Sequence, residues 1–174
     1  MSSRQANEKQ DIPTLAFTIA YDSMVNQLIS DVHVMANGKE CFTRALWDTG
    51  ATGSCISSSI AADLNLTPTG RMMIRTPSGS DSVNTYLVDL GLPNQVKVEG
   101  VRVSETKIGE QGIGVLIGMD IIHFGDFAVS NHEGSTCFTF RMPSCSKIDF
   151  VKDINIQRAI GQKHGQGKRK RKKR

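Results

Sequence analysis

Apolar and polar residues alternate along most of the chain with a period near two, and the runs are short. "LISDVHVM" (28–35) and "ECFTRALW" (40–47) flank "NGK" (37–39), a strong two-strand turn signal, and predict a hairpin whose second arm delivers the chain to Asp48. "SSSIAADLNL" (57–66) breaks that period: Ile60 and Leu64 fall on one helical face, Ser57 or Ser58 can cap, and Pro68 lies just beyond. Two strand-like arms within 71–90 flank "TPSGSDS", whose Pro, Gly, Ser and Asp predict an exposed turn. "QVKVEGVRVSET" (95–106) alternates valines with polar residues, the pattern of a half-buried strand, with Gly100 as a place to bend. In the most apolar stretch (113–130), "GVLIG" fits a buried strand and Asp120 is placed to cap one helical turn ending at Gly125. "DFAVS" and "STCFTF", joined across "NHEG", predict a last hairpin.

The flanks read differently. Residues 12–22, with "LAFTIAYD", could add a strand within an N-terminal extension, residues 1–27. Residues 28–143 form the expected core domain, and 144–160 a C-terminal extension with a modest helix in which Phe150 and Ile154 meet at i, i+4. From Gly161 onward, Gly, Gln and like charges predict a disordered basic tail.

Composition changes this picture only in part. Hydrophobic residues at 39% and charged residues at 22% of 174 suit one globular domain with a real core. No apolar run approaches the roughly 18 residues of a membrane helix. The polar start, "MSSRQANEKQDIP", has no apolar core of a secretory signal, so a cytoplasmic location is the default expectation. Met1 and extensions at both ends suggest a stand-alone protein.

The net charge of +4 comes from the end of the chain: the last seven residues, "KRKRKKR" (168–174), are all basic, and without them 14 basic residues face 17 acidic ones. Such an arm can contact nucleic acid nonspecifically by releasing phosphate counterions. No aromatic residues interleave with it to stack on bases, and a solubilising terminus is the plainer reading.

Cys41, Cys55, Cys137 and Cys145 show no C-x-x-C pair, and His33, His123, His132 and His164 are as scattered, so reduced thiols and non-ligand imidazoles are expected, with no metal and no cofactor. "SGS" (78–80) lacks a nucleophile-elbow pattern, and no His stands in a triad context, which disfavours a serine or cysteine hydrolase.

What remains is the order of three features. A hairpin feeds Asp48-Thr49-Gly50-Ala51-Thr52, a Gly/Ser-tipped hairpin follows, and an apolar run ends in Gly118. "ALWDTGATGSCISSSIAADLNL" and "VLIGMDII" resemble the two signatures of the retropepsin-like aspartic proteases, retroviral, retrotransposon and single-domain cellular or bacterial. The resemblance implies an all-β closed barrel with short helices, one lobe per chain. It also implies an aspartic endopeptidase acting on peptide or protein substrates. The chain has a single Asp-Thr-Gly, since "FGDF" lacks Thr/Ser-Gly after Asp126, so a second carboxylate must come from another copy in a two-fold homodimer.

In that reading Asp48 is catalytic. Thr49 bonds across the interface, and Gly50 lets its backbone approach the carboxylates. Ala51 and Thr52 line the first turn past the site. "TPSGSDS" is the flap, with Thr76, Ser78, Gly79 and Ser80 at its tip. Gly118 lets the apolar strand pass beneath the site loop, while Asp120 caps a helical turn. Trp47 replaces a smaller aliphatic residue, and Met119-Asp120 stands where viral enzymes have Arg-Asn. The same fold could also serve as a catalytically inactive dimerisation or binding module.

Overall fold

The computed structural model describes residues 13–76, 79–108 and 112–171, the side chains at 75–76 and 161–171 excepted. Ten strands and three helices follow in the order β1 (Leu15–Ala20), β2 (Leu28–Ala36), β3 (Lys39–Trp47), β4 (Cys55–Ser57), α1 (Ser58–Asp63), β5 (Gly70–Thr76), β6 (Gly79–Gly91), β7 (Lys97–Thr106), β8 (Ile113–Ile117), α2 (Met119–Ile122), β9 (Asp126–His132), β10 (Ser135–Met142) and α3 (Phe150–Arg171).

The larger sheet runs β2-β3-β8-β4-β7-β6-β5, and β2 also pairs with β6. That extra pairing closes six strands into a barrel and leaves β5 outside it, laddered only to β6. The architecture is all-β, as expected. Closure removes the exposed edges that an open sheet would present. The barrel fills with branched aliphatic side chains that alternate inward: Val32 and Val34 from β2, Val88 and Leu90 from β6, Val101 and Val103 from β7, Val115 and Ile117 from β8.

Local chemistry explains several elements. Asn37 and Gly38 both take positive φ (54° and 70°), the two-residue turn whose twist matches the flanking strands of the β2–β3 hairpin. Glu133 and Gly134 do the same between β9 and β10. The Ser57 side chain caps α1 by accepting from the Ile60 amide, and Ile60 and Leu64 are buried on the face the spacing assigns them. Gly100, at φ 63°, makes the bend expected in β7, and its amide donates to Asp89 Oδ1 at 2.9 Å across the register shift with β6.

A second sheet, β1-β10-β9, lies outside the barrel. β1 falls in the segment expected as an extension, yet pairs along its whole length with β10, from Leu15↔Met142 to Ala20↔Cys137. Phe17, Phe138 and Phe140 from this sheet are buried together with Trp47 of β3, so the two sheets share one apolar core.

α3 departs from expectation. It runs to Arg171 and takes in residues from Gly161, for which the composition predicts disorder. Lys, Arg and Gln are good helix formers, and the glycines at 161, 165 and 167 weaken the helix without removing its hydrogen bonds. All of residues 150–160 are exposed, so local propensity rather than packing maintains it.

Candidate active site

The site is one loop, 48–54, held from below by β8 and α2. β3 and β8 run parallel, with Trp47 opposite Ile117, and the ladder ends where the Asp48 amide donates to the Ile117 carbonyl at 2.9 Å. Both strands have buried side chains at this end, so the carboxylate emerges from a fixed base. Trp47 strengthens that base. Its indole N–H donates to the Ser30 hydroxyl at 3.0 Å, and its ring lies parallel to Phe127 at 5.5 Å. The bulk that departs from the family pattern is thereby absorbed by the second sheet.

Asp48 is half-buried, while Thr49 and Gly50 are exposed. The Gly50 amide donates to Asp48 Oδ1 at 2.8 Å, and the Ala51 amide to the Asp48 carbonyl at 3.2 Å. A Cβ on Gly50 would stand 3.2 Å from that same carboxylate oxygen. The lack of a side chain keeps the approach to Asp48 clear.

The underside is tighter. The Met119 amide donates to the Ala51 carbonyl at 2.9 Å. A Cβ on Gly118 would stand 2.7 Å from the Gly53 carbonyl carbon and 2.8 Å from its oxygen, distances that real Cβ atoms do not tolerate against backbone. Only glycine lets the β8–α2 junction pass this close under the loop.

Asp120 does not cap α2. The N-cap is Gly118, with no side-chain cap bond, and Asp120 sits inside the first turn. Its carboxylate turns to the site loop, accepting from the Ser54 amide at 2.9 Å and the Ser54 hydroxyl at 2.7 Å. Ser54 Oγ also accepts from the Gly118 amide at 3.0 Å. Ser54, only 2% exposed, is therefore the knot between the two signatures, and the sequence reading passed over it. It lies in a string of small hydroxylated residues, where nothing local sets it apart.

The neighbouring thiol is inert. Burial pushes Cys55 up to about 12; the Leu116 backbone opposes this, and the Asp120 and Asp48 carboxylates add to it. It stays protonated, which removes a thiolate nucleophile from this loop. Asp126 of "FGDF" is also structural: Ser144, the Cys145 amide and Arg141 all donate to it and hold its carboxyl well below the usual carboxylate range.

The residues expected at the flap tip divide. Gly79 and Ser80 are exposed at the end of the β5–β6 hairpin, where Thr76 pairs with Gly79. Ser78 and the Thr76 side chain lie outside the described residues. Thr52 is exposed and Ala51 half-buried beside Asp48. No His/Cys/Asp/Glu group able to hold a metal ion occurs among the described residues. No helix there is long and apolar enough to cross a membrane.

A family model described as aspartyl protease matches residues 32–121, which include the loop, the hairpin and the β8–α2 junction. Among solved structures, the chain is similar to a retropepsin-like aspartic protease from Rickettsia conorii, with a TM-score of 0.50 and 15% identity over 75% of this chain and 96% of that one. It also matches the protease of Simian foamy virus (TM-score 0.40, 21% identity, 55% and 91% covered) and the retroviral protease-like domain of Ddi1 from Leishmania major (TM-score 0.41, 14% identity, 70% and 97% covered). Among curated protein sequences, none matches.

Proposed function

The chain belongs to the aspartyl protease family, and from that premise we propose that it is a homodimeric aspartic endopeptidase whose site is completed by Asp48 of a second copy. One observation carries the proposal. Asp120 has both carboxylate oxygens committed to Ser54, which leaves Asp48 as the loop's one carboxylate available for chemistry. The surroundings agree with a missing partner: Thr49 and Gly50 are exposed, and so are Met119 and Phe124, at 36% and 49%, on and just after α2.

Amide hydrolysis without metal or covalent nucleophile requires water to be deprotonated and the leaving nitrogen to be protonated. Two carboxyls sharing one proton perform both tasks. Like charges this close cannot both ionise comfortably, so the pair titrates in two separated steps that belong to the dyad. Gly50 N–H donates to the carboxylate that acts as base, and Thr49 links the two loops across the axis. The β5–β6 hairpin closes over the peptide and excludes water. The cysteines among the described residues are unpaired, which fits a reducing compartment such as the cytoplasm.

The test is incubation of the purified chain with a diverse peptide library from acidic to neutral pH, with and without a hydroxyl-bearing transition-state mimic. Cleavage that the mimic inhibits, and that Asp48→Asn abolishes in a dimer still folded, supports the reading. A folded dimer that cuts nothing supports instead the inactive binding module. Equal cutting by mutant and wild type points to a contaminant or another mechanism and overturns the Asp48 reading.

The run of seven cations at 168–174 favours a second role, nonspecific contact with nucleic acid. Its side chains lie outside the described residues, so this role rests on charge alone. Deleting 168–174 and repeating a nucleic-acid titration at two salt concentrations decides it: unchanged binding excludes the tail.

A further inference from the structure

The β5–β6 hairpin leaves the barrel at one residue. Among the described residues, 79–84 of β6 ladder with β5 alone, and the ladder to β7 begins with Thr85↔Ser104. A two-stranded arm is marginal by itself, so its direction has to be set at its root. The arm is stiffened from within, because Arg71 donates to the Ser82 hydroxyl at 3.2 Å and to the Ser82 carbonyl at 3.0 Å. At the pivot, the Thr69 amide and hydroxyl both donate to the Thr85 carbonyl, at 2.8 and 3.1 Å.

Glu105 spans that pivot from a third strand. It lies on β7 opposite Ile56 of β4, which places it on the strand next to the one that follows the site loop. Its Oε2 accepts from the Tyr86 hydroxyl at 2.7 Å, one residue inside the pivot, and from Asn84 Nδ2 at 3.1 Å, one residue outside it. The Ser58 side chain at the start of α1 also bonds to it. Above the brace is a cavity of about 520 Å³ with Ile74, Asp81 and Val83 of the hairpin on one side and Ser58, Glu105 and Lys107 on the other. That space leaves the arm room to rock.

We propose that Glu105 is a positioning residue for the flap: bonded on both sides of Thr85, its carboxylate sets the angle at which the hairpin closes over Asp48. The proposal rests on the peptidase reading only for its consequence, since the brace is a property of the single chain. The charged groups that line the same cavity are Arg71 and Asp81 on the hairpin and Lys107 beyond β7, with Tyr86 the titratable donor. The bonds from Tyr86 first, then Ser58 and Asn84, hold Glu105 below its ordinary carboxylate value, so the brace persists into acid.

The experiment compares Glu105→Ala and Glu105→Gln in the full chain. Backbone order parameters are measured for residues 79–84 and 86–90, and kcat and KM on a fluorogenic peptide chosen from those the wild type cuts. In Glu105→Ala the values at 79–84 fall from near 0.85 toward 0.6, with 86–90 unchanged. KM rises about fivefold while kcat stays within about twofold, because the Asp48 loop is untouched. Glu105→Gln still accepts from Tyr86 and returns both readouts toward wild type. Order parameters at 79–84 unchanged in Glu105→Ala overturn the proposal, and so does an equal fall at 86–90, which marks a general core role. The order parameters decide the question even for a chain that cuts no peptide, so failure of the brace and failure of the peptidase reading are told apart.

Discussion

The site loop and the flap are both short, polar and rich in small residues, yet the fold treats them in opposite ways. The loop is tied down at both ends and in its middle: Asp48 to Ile117, Gly50 to Asp48, Ala51 to Met119, Ser54 to Asp120 and Gly118. Among the described residues, the strand ladder of the hairpin's outer part runs between its own two arms. In the proposed reading, acid–base chemistry needs fixed geometry, whereas admission of a peptide chain needs movement. The same residue types suit both, because what differs is the partner each backbone finds.

The contrast breaks most completely at the carboxylate. Asp48→Asn lowers cleavage by about 10²–10⁴-fold or more, the contribution of general acid–base catalysis, while the melting temperature stays near wild type. Peptide turnover and calorimetry on one preparation check this. Next is the loop's underside. Gly118→Ala forces a methyl against the Gly53 backbone and costs about 1–3 kcal/mol, read from urea unfolding, with lost turnover. Ser54→Ala leaves the buried Gly118 amide without its acceptor and strips a donor from Asp120, for about 1–3 kcal/mol. By contrast, Met73→Lys on the exposed flap strand changes stability by no more than about 0.5 kcal/mol. A larger loss there would show the hairpin to be packed.

The smallest effect concerns pH. Asp126 has its carboxyl held low in the folded chain, by Ser144 first, then the Cys145 amide and Arg141. A depressed folded value means that its stabilisation is present above the unfolded value, about 3.9, and is lost as pH falls through the folded one. The urea midpoints of wild type and Asp126→Asn therefore differ at neutral pH and converge in strong acid. A gap that widens in acid contradicts the assignment.

The sequence is informative where a local rule governs. Asn-Gly at 37–38, Ser57 before Ile60, alternating valines around Gly100 and the small residues after Asp48 each carry their own physics, and the hairpin, cap, bend and loop follow. It is silent where the partner is distant. Ser54 and Asp120 lie 66 positions apart, so the role of Asp120 reads locally as a helix cap. Glu105 looks like any polar residue of an alternating strand until β6 is laid beside it. Trp47 looks oversized until Phe127 supplies a parallel ring. At α3 the composition is ambiguous for another reason: glycines and like charges lower helix propensity without forbidding it.

The most direct test of the central claim is a subunit-mixing titration. Wild type and Asp48→Asn are mixed, unfolded and refolded together at constant total concentration, and cleavage is followed against the wild-type fraction. A site built from two copies of Asp48 makes activity fall with the square of that fraction, to about one quarter at equal amounts. A linear fall, to about one half, means that each chain cuts alone, and contradicts the account.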